Sequence, residues 1–172
     1  ISQATDLRGR VIGLPGLYGA NYIGFEALAA HAGLTDADYE LRSIGFTQVE
    51  ALVTEQVDAV VVYLANEPVQ LRARGYEIDV LRVADALSLV GNCLVTNEKS
   101  VSERPELVQG MVSAMQEALA VTAADPDMAY EISRKYIENL AEDDPIQKQV
   151  LLESIKLWQL ETDPADVEVT RW

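Results

Sequence analysis

Residues 57–63 read Val-Asp-Ala-Val-Val-Val-Tyr, a β-branched run that is apolar on both faces. A strand with one wet face would alternate. A run like this predicts a parallel strand inside a sheet whose two sides are covered by helices. The flanking sequence keeps the matching rhythm. Arg10-Val11-Ile12-Gly13-Leu14 is a short apolar strand that stops at the turn pair Pro15-Gly16. Residues 21–32 predict a helix, with Ile23, Ala27, Leu28 and His31 on its apolar side and Gly33 as its stop. Residues 39–44 predict a strand. Thr47-Gln48-Val49-Glu50 reads as a capping box opening a short helix to about Glu55. Residues 68–74, ended by Gly75, give a third helix, and residues 78–83 another strand. Strands joined by helices in this order make an α/β fold with an open, mainly parallel sheet.

After Asp85 the texture changes. Cys93-Leu94-Val95-Thr96 predicts one more strand, with Cys93 as an inert core thiol, and helices fill the remainder. Pro105, Pro126 and Pro145 each stand where a first helical residue belongs, and Asp125 and Asp144 are good N-caps. The first helix carries Leu107, Val108, Met111, Val112, Met115 and Leu119 on one face. The second carries Met128, Ile132 and Tyr136, and the third Ile146, Val150, Leu151, Ile155 and Trp158. Each amphipathic helix must bury its stripe against something. One strand cannot serve three such helices, so they either bundle together or cover a sheet contributed by other chain. The second is the expectation favoured here.

Charge narrows the partners. With 13 basic and 28 acidic side chains in 172 residues, the net charge is −15. This opposes nucleic acid, which is held by Lys and Arg on phosphates, and adhesion to an anionic membrane surface. The longest apolar run, residues 59–65, is far short of the ~20 residues of a membrane-spanning helix. No transmembrane segment is expected. A single cysteine precludes an internal disulfide. Ile1-Ser2-Gln3-Ala4-Thr5-Asp6 lacks the pattern of a secretory leader, so the chain is read as mature, cytoplasmic or a piece of something longer.

Two segments have the character of a binding site. Pro15-Gly16-Leu17-Tyr18-Gly19-Ala20-Asn21-Tyr22 joins the first strand to the first helix, where open α/β sheets bind ligands. Its glycines allow close backbone approach, and Tyr18 and Tyr22 offer aromatic faces. Tyr63-Leu64-Ala65-Asn66-Glu67-Pro68 leaves the buried strand in the equivalent place, with Asn66 and Glu67 as polar groups beside Tyr63. Asn92, ahead of the last strand, is a third element. Catalysis finds little support. His31 is the only histidine and falls on an apolar helix face, Cys93 falls in an apolar strand, and no spacing calls for a metal. No enzyme activity, cofactor or metal is expected.

These residues resemble a known family. Asp6-Leu7-Arg8-Gly9-Arg10-Val11-Ile12-Gly13-Leu14-Pro15-Gly16 is similar to the opening of the second lobe in type II periplasmic binding proteins. The branch is the one serving ABC importers for sulfonates, nitrate, thiamine pyrimidine precursors and riboflavin. Asp58-Ala59-Val60-Val61-Val62-Tyr63 with Asn66-Glu67-Pro68 resembles that branch's third strand and pocket turn. Gly91-Asn92-Cys93-Leu94-Val95-Thr96-Asn97-Glu98 and Pro105-Glu106-Leu107-Val108 resemble the return into the first lobe. The resemblance implies a two-lobed fold with residues 6–86 in lobe two and 87–172 returning to lobe one, whose opening strands precede this sequence.

It also implies a non-enzymatic, substrate-binding component in the periplasm or at the extracellular face, with a lipid-anchored parent as one form, and an ABC transporter permease as partner. The ligand, clamped between the lobes, would meet Tyr18, Gly19, Asn21, Tyr22, Tyr63, Asn66, Glu67 and Asn92. The tyrosines suit a small heteroaromatic ligand, a thiamine pyrimidine precursor or riboflavin, better than nitrate or a sulfonate. The single Cys93 departs from the cysteine-rich iron motif of the eukaryotic pyrimidine-synthesis relatives. A ligand-sensing domain of a regulator or receptor is the alternative for the same fold.

Overall fold

The computed structural model describes residues 1–87 and 93–161, with side chains through Trp158. The chain divides into two compact units, Ile1–Gly91 and Asn92–Trp172.

The first unit is built on a three-stranded parallel sheet in the order β2-β1-β3. After a 3-10 turn at Ala4–Leu7 come β1 (Val11–Leu14), α1 (Gly19–His31), β2 (Glu40–Ser43) and α2 (Gln48–Val53). Next are β3 (Ala59–Val60), α3 (Glu67–Ala73) and the short α4 (Val83–Ala86). β1 is central, pairing Val11 with Glu40 and Leu14 with Ser43 on one side, and Ile12 with Ala59 on the other. Its alternate residues Ile12 and Leu14 are fully buried and join Leu7, Phe25, Ala29 and Leu34 in one core. Burial of each large aliphatic there contributes about 1.5–3 kcal/mol. Gly13 points the opposite way, where a Cβ would stand 2.6 Å from Ile44 Cδ1 and 3.3 Å from the Val57 methyls. Only glycine lets those side chains close over the strand.

Several sequence expectations are corrected here. The apolar run at 57–63 forms only a two-residue strand whose residues are half-buried. In the described sheet it lies at the edge, bonded to β1 alone, and the Asn66 N–H to Tyr63 O bond of 2.9 Å turns it away. Residues 78–82 pair with no described strand, and Val83 begins a helix. α1 buries Gly24, Phe25 and Ala29, leaving Ile23 and His31 exposed, because the core sits about one residue round from the predicted stripe. The capping box at Thr47 does not form. The Thr47 hydroxyl donates instead to Ile44 O at 2.7 Å, closing the turn before α2.

The second unit, taken by itself, is helical: α5 (Glu98–Glu103), α6 (Pro105–Ala124), α7 (Pro126–Ser133) and α8 (Pro145–Glu161). The predicted caps are made. Asp125 accepts from Met128 N at 3.0 Å, and Asp144 from the amides of Ile146 and Gln147 at 3.0 Å each. α6 contacts α5 and α7, and α7 contacts α8. Yet α6 has no buried residue, and its Leu107, Met111, Met115 and Leu119 are exposed. In α7 the buried pair is Ala129 and Tyr130, while Met128 and Ile132 are exposed and Tyr136 lies beyond the helix. Tyr130 turns inward because its hydroxyl donates to Ala141 O at 2.8 Å. Residues 93–96 form no strand, and Cys93 is exposed, since no described strand pairs with that segment. Among the described residues no helix is long and apolar enough to cross a membrane.

Candidate functional site at the carboxyl edge of the sheet

Parallel strands end together. From β1 the chain crosses to β2 on one side, then returns past β1 to β3 on the other. Strand order therefore reverses between β1 and β3, and the crevice beyond their carboxyl ends is where open α/β sheets take ligands. The segments leaving those two strands are the ones singled out from sequence.

On the β1 side, Tyr18 is extended backbone and Gly19, at φ +75°, begins α1. Nothing lies within 4 Å of a Cβ built on Gly19, so glycine serves conformation there and not space. Tyr18 is 80% exposed. Its ring lies against Gly16, where a Cβ would come within 2.6 Å of the ring edge. The first turn of α1 has no side-chain cap, so its leading amides are unclaimed by the N-cap residue.

On the β3 side, the Tyr63 N–H donates to Glu67 Oε2 at 3.1 Å, and the ring of Tyr63 is exposed. Asn66 precedes α3 without capping it, and its Oδ1 accepts from Gln70 Nε2 at 2.9 Å. Glu67 is buried, so its carboxylate holds the turn shut from inside. Asn21 Nδ2 donates to Val61 O at 3.1 Å and ties the start of α1 to the end of β3.

The structure thus brings Tyr18, Gly19 and Asn21 to the same edge as Tyr63, Asn66 and Glu67. Tyr22 is half-buried and packs on the α1 core. Asn92 lies outside the described residues. One further aromatic, not among the residues expected from sequence, lies beside them. The turn after β2 carries Phe46, 91% exposed, between Gly45 at φ +61° and Thr47. The signal was an aromatic set directly behind a glycine at a strand end.

Apart from the buried Glu67, the turns at this edge are uncharged. Segments 15–18, 44–47 and 61–66 contain no charged residue, in a chain of net charge −15. These three segments supply no cation to an oxyanion, whereas to a neutral planar ring they offer aromatic surface and backbone dipoles.

Comparison with known proteins adds identity to this geometry. The sequence profile of the family described as NMT1/THI5 like matches residues 1–129. The chain is 39% identical over 162 residues to the riboflavin-binding protein RibY of Chloroflexus aurantiacus, across 94% of this chain and 46% of that protein. It is 28% identical over 137 residues to the 4-amino-5-hydroxymethyl-2-methylpyrimidine phosphate synthase of Legionella pneumophila, across 77% of this chain and 42% of that protein. The chain therefore spans a little under half the length of these curated relatives.

Proposed function

This chain belongs to the NMT1/THI5-like family, whose periplasmic-binding-protein-like fold its parallel sheet matches, and from that premise we propose that it binds a neutral heteroaromatic vitamin, riboflavin foremost. The full-length protein is then the substrate-binding component of an ABC importer, acting at the periplasmic or extracellular face and delivering its ligand to the permease. The observation that carries this reading is the exposed aromatic edge, its one named acid buried, where Tyr18 and Tyr63 stand on neighbouring strand ends laced together by Asn21. The name of the riboflavin-binding relative supports the choice of ligand.

Two competing readings fare less well on the same residues. A sulfonate or nitrate would meet only the leading backbone amides of α1, with no cation in these turns beside them, and would leave the exposed rings unused. The synthase relative raises catalysis. However, the only histidine, His31, sits at the far end of α1, roughly 18 Å along the helix from Gly19 at 1.5 Å per residue. The acid at the edge, Glu67, is buried and bonded to a backbone amide. In this reading Glu67 and Asn21 shape the turn that presents Tyr63, and the tyrosine rings contact the ligand.

The test is a titration of the full-length protein with riboflavin, followed by quenching of the flavin's own fluorescence. A pyrimidine precursor, nitrate and a sulfonate serve as competitors. Riboflavin should bind, and Tyr63→Ala should weaken it about tenfold or more, the size of one aromatic stacking contact. Binding of nitrate or a sulfonate in preference to riboflavin would reject the proposal.

A further inference from the structure

The chain has two phenylalanines. Phe25 is in the core, edge-on to Tyr39 at 4.9 Å, whereas Phe46 is 91% exposed. A lone exposed apolar side chain is unremarked on protein surfaces, but Phe46 is not placed alone. It follows β2, whose pairing with β1 is extended past Ser43 by the Ile44 N–H to Leu14 O bond of 2.8 Å. The Ser43 hydroxyl donates to Pro15 O at 3.3 Å, which joins the turn after β2 to the turn after β1. Ile44 folds inward over Gly13, and Thr47 closes the turn onto Ile44 O. Those contacts use the neighbours of Phe46 for packing and leave its ring outside. The carboxyl edge then shows one exposed aromatic per strand: Phe46 after β2, Tyr18 after β1 and Tyr63 after β3.

Resting on the binding reading above, the geometry points to Phe46 as a specificity-determining residue of that site, one that selects fused-ring ligands over single rings. Neighbouring strands lie about 4.8 Å apart, so the outer two of the three turns stand roughly 10 Å from each other. A single pyrimidine bridges one such gap and is served by Tyr18 and Tyr63 alone. A fused three-ring system lying across the end of β1 reaches the turn after β2, and Phe46 is the aromatic surface waiting there. None of the three turns exposes a charge, Glu67 being buried, which suits the same occupant because stacking on a neutral ring needs no counter-ion.

The experiment compares the affinities of full-length wild type, Phe46→Ala, Phe46→Trp and Tyr63→Ala for riboflavin and for a single-ring pyrimidine, with melting of each ligand-free protein. Binding of the pyrimidine should not distinguish Phe46→Ala from wild type. Phe46→Ala should lose about tenfold in riboflavin affinity, and Phe46→Trp should stay within about threefold of wild type, because stacking tolerates exchange of one aromatic for another. Ligand-free Phe46→Ala should melt within about 2 °C of wild type, as expected for a surface truncation. If Phe46→Ala binds like wild type while Tyr63→Ala does not, the role of Phe46 is overturned and the binding reading stands. If Phe46→Ala melts early without ligand, Phe46 is a packing residue and the inference also falls. If wild type fails to bind riboflavin, the binding reading itself is lost and this inference with it.

Discussion

The two ends of the small sheet are built from different materials. At the amino end, charges gather: Arg8 pairs with Asp38 ahead of β2, and Arg10 with Asp58 ahead of β3 at 3.2 Å. Asp58 also accepts the Val11 N–H at 2.8 Å, and the Gly9 N–H reaches Asp38 O at 2.6 Å. At the carboxyl end of the same strands the turns carry no charge besides the buried Glu67 and hold their aromatic rings in solvent. Polar groups at the first end are spent on one another. At the second, Asn21, Asn66 and Glu67 are spent on shaping turns while the rings are left unspent. One end latches the strands in register; the other presents a surface. The division of labour follows from parallel pairing, which puts every helix start on one side and every strand start on the other.

If that division holds, mutations at the two ends should separate stability from binding. The largest effect belongs to Asp58→Ala. It removes an ion pair and a charge-assisted bond to a backbone amide next to the central strand, and should cost about 1–2 kcal/mol in urea unfolding. Riboflavin affinity of the folded protein should stay unchanged. A loss of affinity without a loss of stability would break the comparison.

A second effect appears with pH. The carboxyl of Asp38 is held below its ordinary value of 3.8, first by the Thr35 amide, then by the Thr35 hydroxyl, with Arg8 assisting. A depressed folded value means that the unfolded chain binds more protons as pH falls, so stability must fall with it. The Asp38 contribution is complete above 3.8 and is lost as pH drops through the lower, folded value. Wild type should therefore exceed Asp38→Asn in stability at neutral pH, and the two should converge below pH 3.8. Equal stability at neutral pH would remove Asp38 from the latch. Asp6, held low by the Ser2 amide, Gln3 side chain and Gln3 amide, adds to the same acid limb.

How much of this could be read from the sequence depends on how far each feature reaches along the chain. Helix starts are local. Asp125 and Asp144 bond amides two or three residues on, and both caps are present as expected. Faces are not local. The buried side of α1 is set by where β1 and the 3-10 turn place Ile12, Leu14 and Leu7, and the stripe through Ile23 and His31 carried no trace of that. Strand length is least local of all. The 57–63 run has the residues of a sheet interior, but in the described sheet a strand partner stands on one side only. At the candidate site, Tyr18 and Tyr63 stood out because each sits in a turn rich in glycine or amides. Phe46 carried a local mark, an aromatic directly behind Gly45, but only the parallel register of β2 beside β1 shows that its turn shares their edge.

The smallest stability effect sharpens the comparison most. Tyr18 is more exposed than any residue of the amino-end latch that carries an ion pair, and its ring contact is to the backbone of Gly16. Truncation to alanine gives up little burial, so Tyr18→Ala should change unfolding free energy by no more than about 0.5 kcal/mol. Backbone geometry at Gly19 and the Asn21 bond to Val61 O do not depend on the tyrosine ring, and both should persist. Riboflavin affinity should nevertheless fall about tenfold, because a stacking face on the β1 end of the crevice is gone. Asp58→Ala and Tyr18→Ala then form a crossed pair, each silent in the assay where the other is loud. Measured together on the full-length protein, they separate an aromatic edge kept for a ligand from one that merely happens to be uncovered. In the second case Tyr18→Ala is silent in both assays.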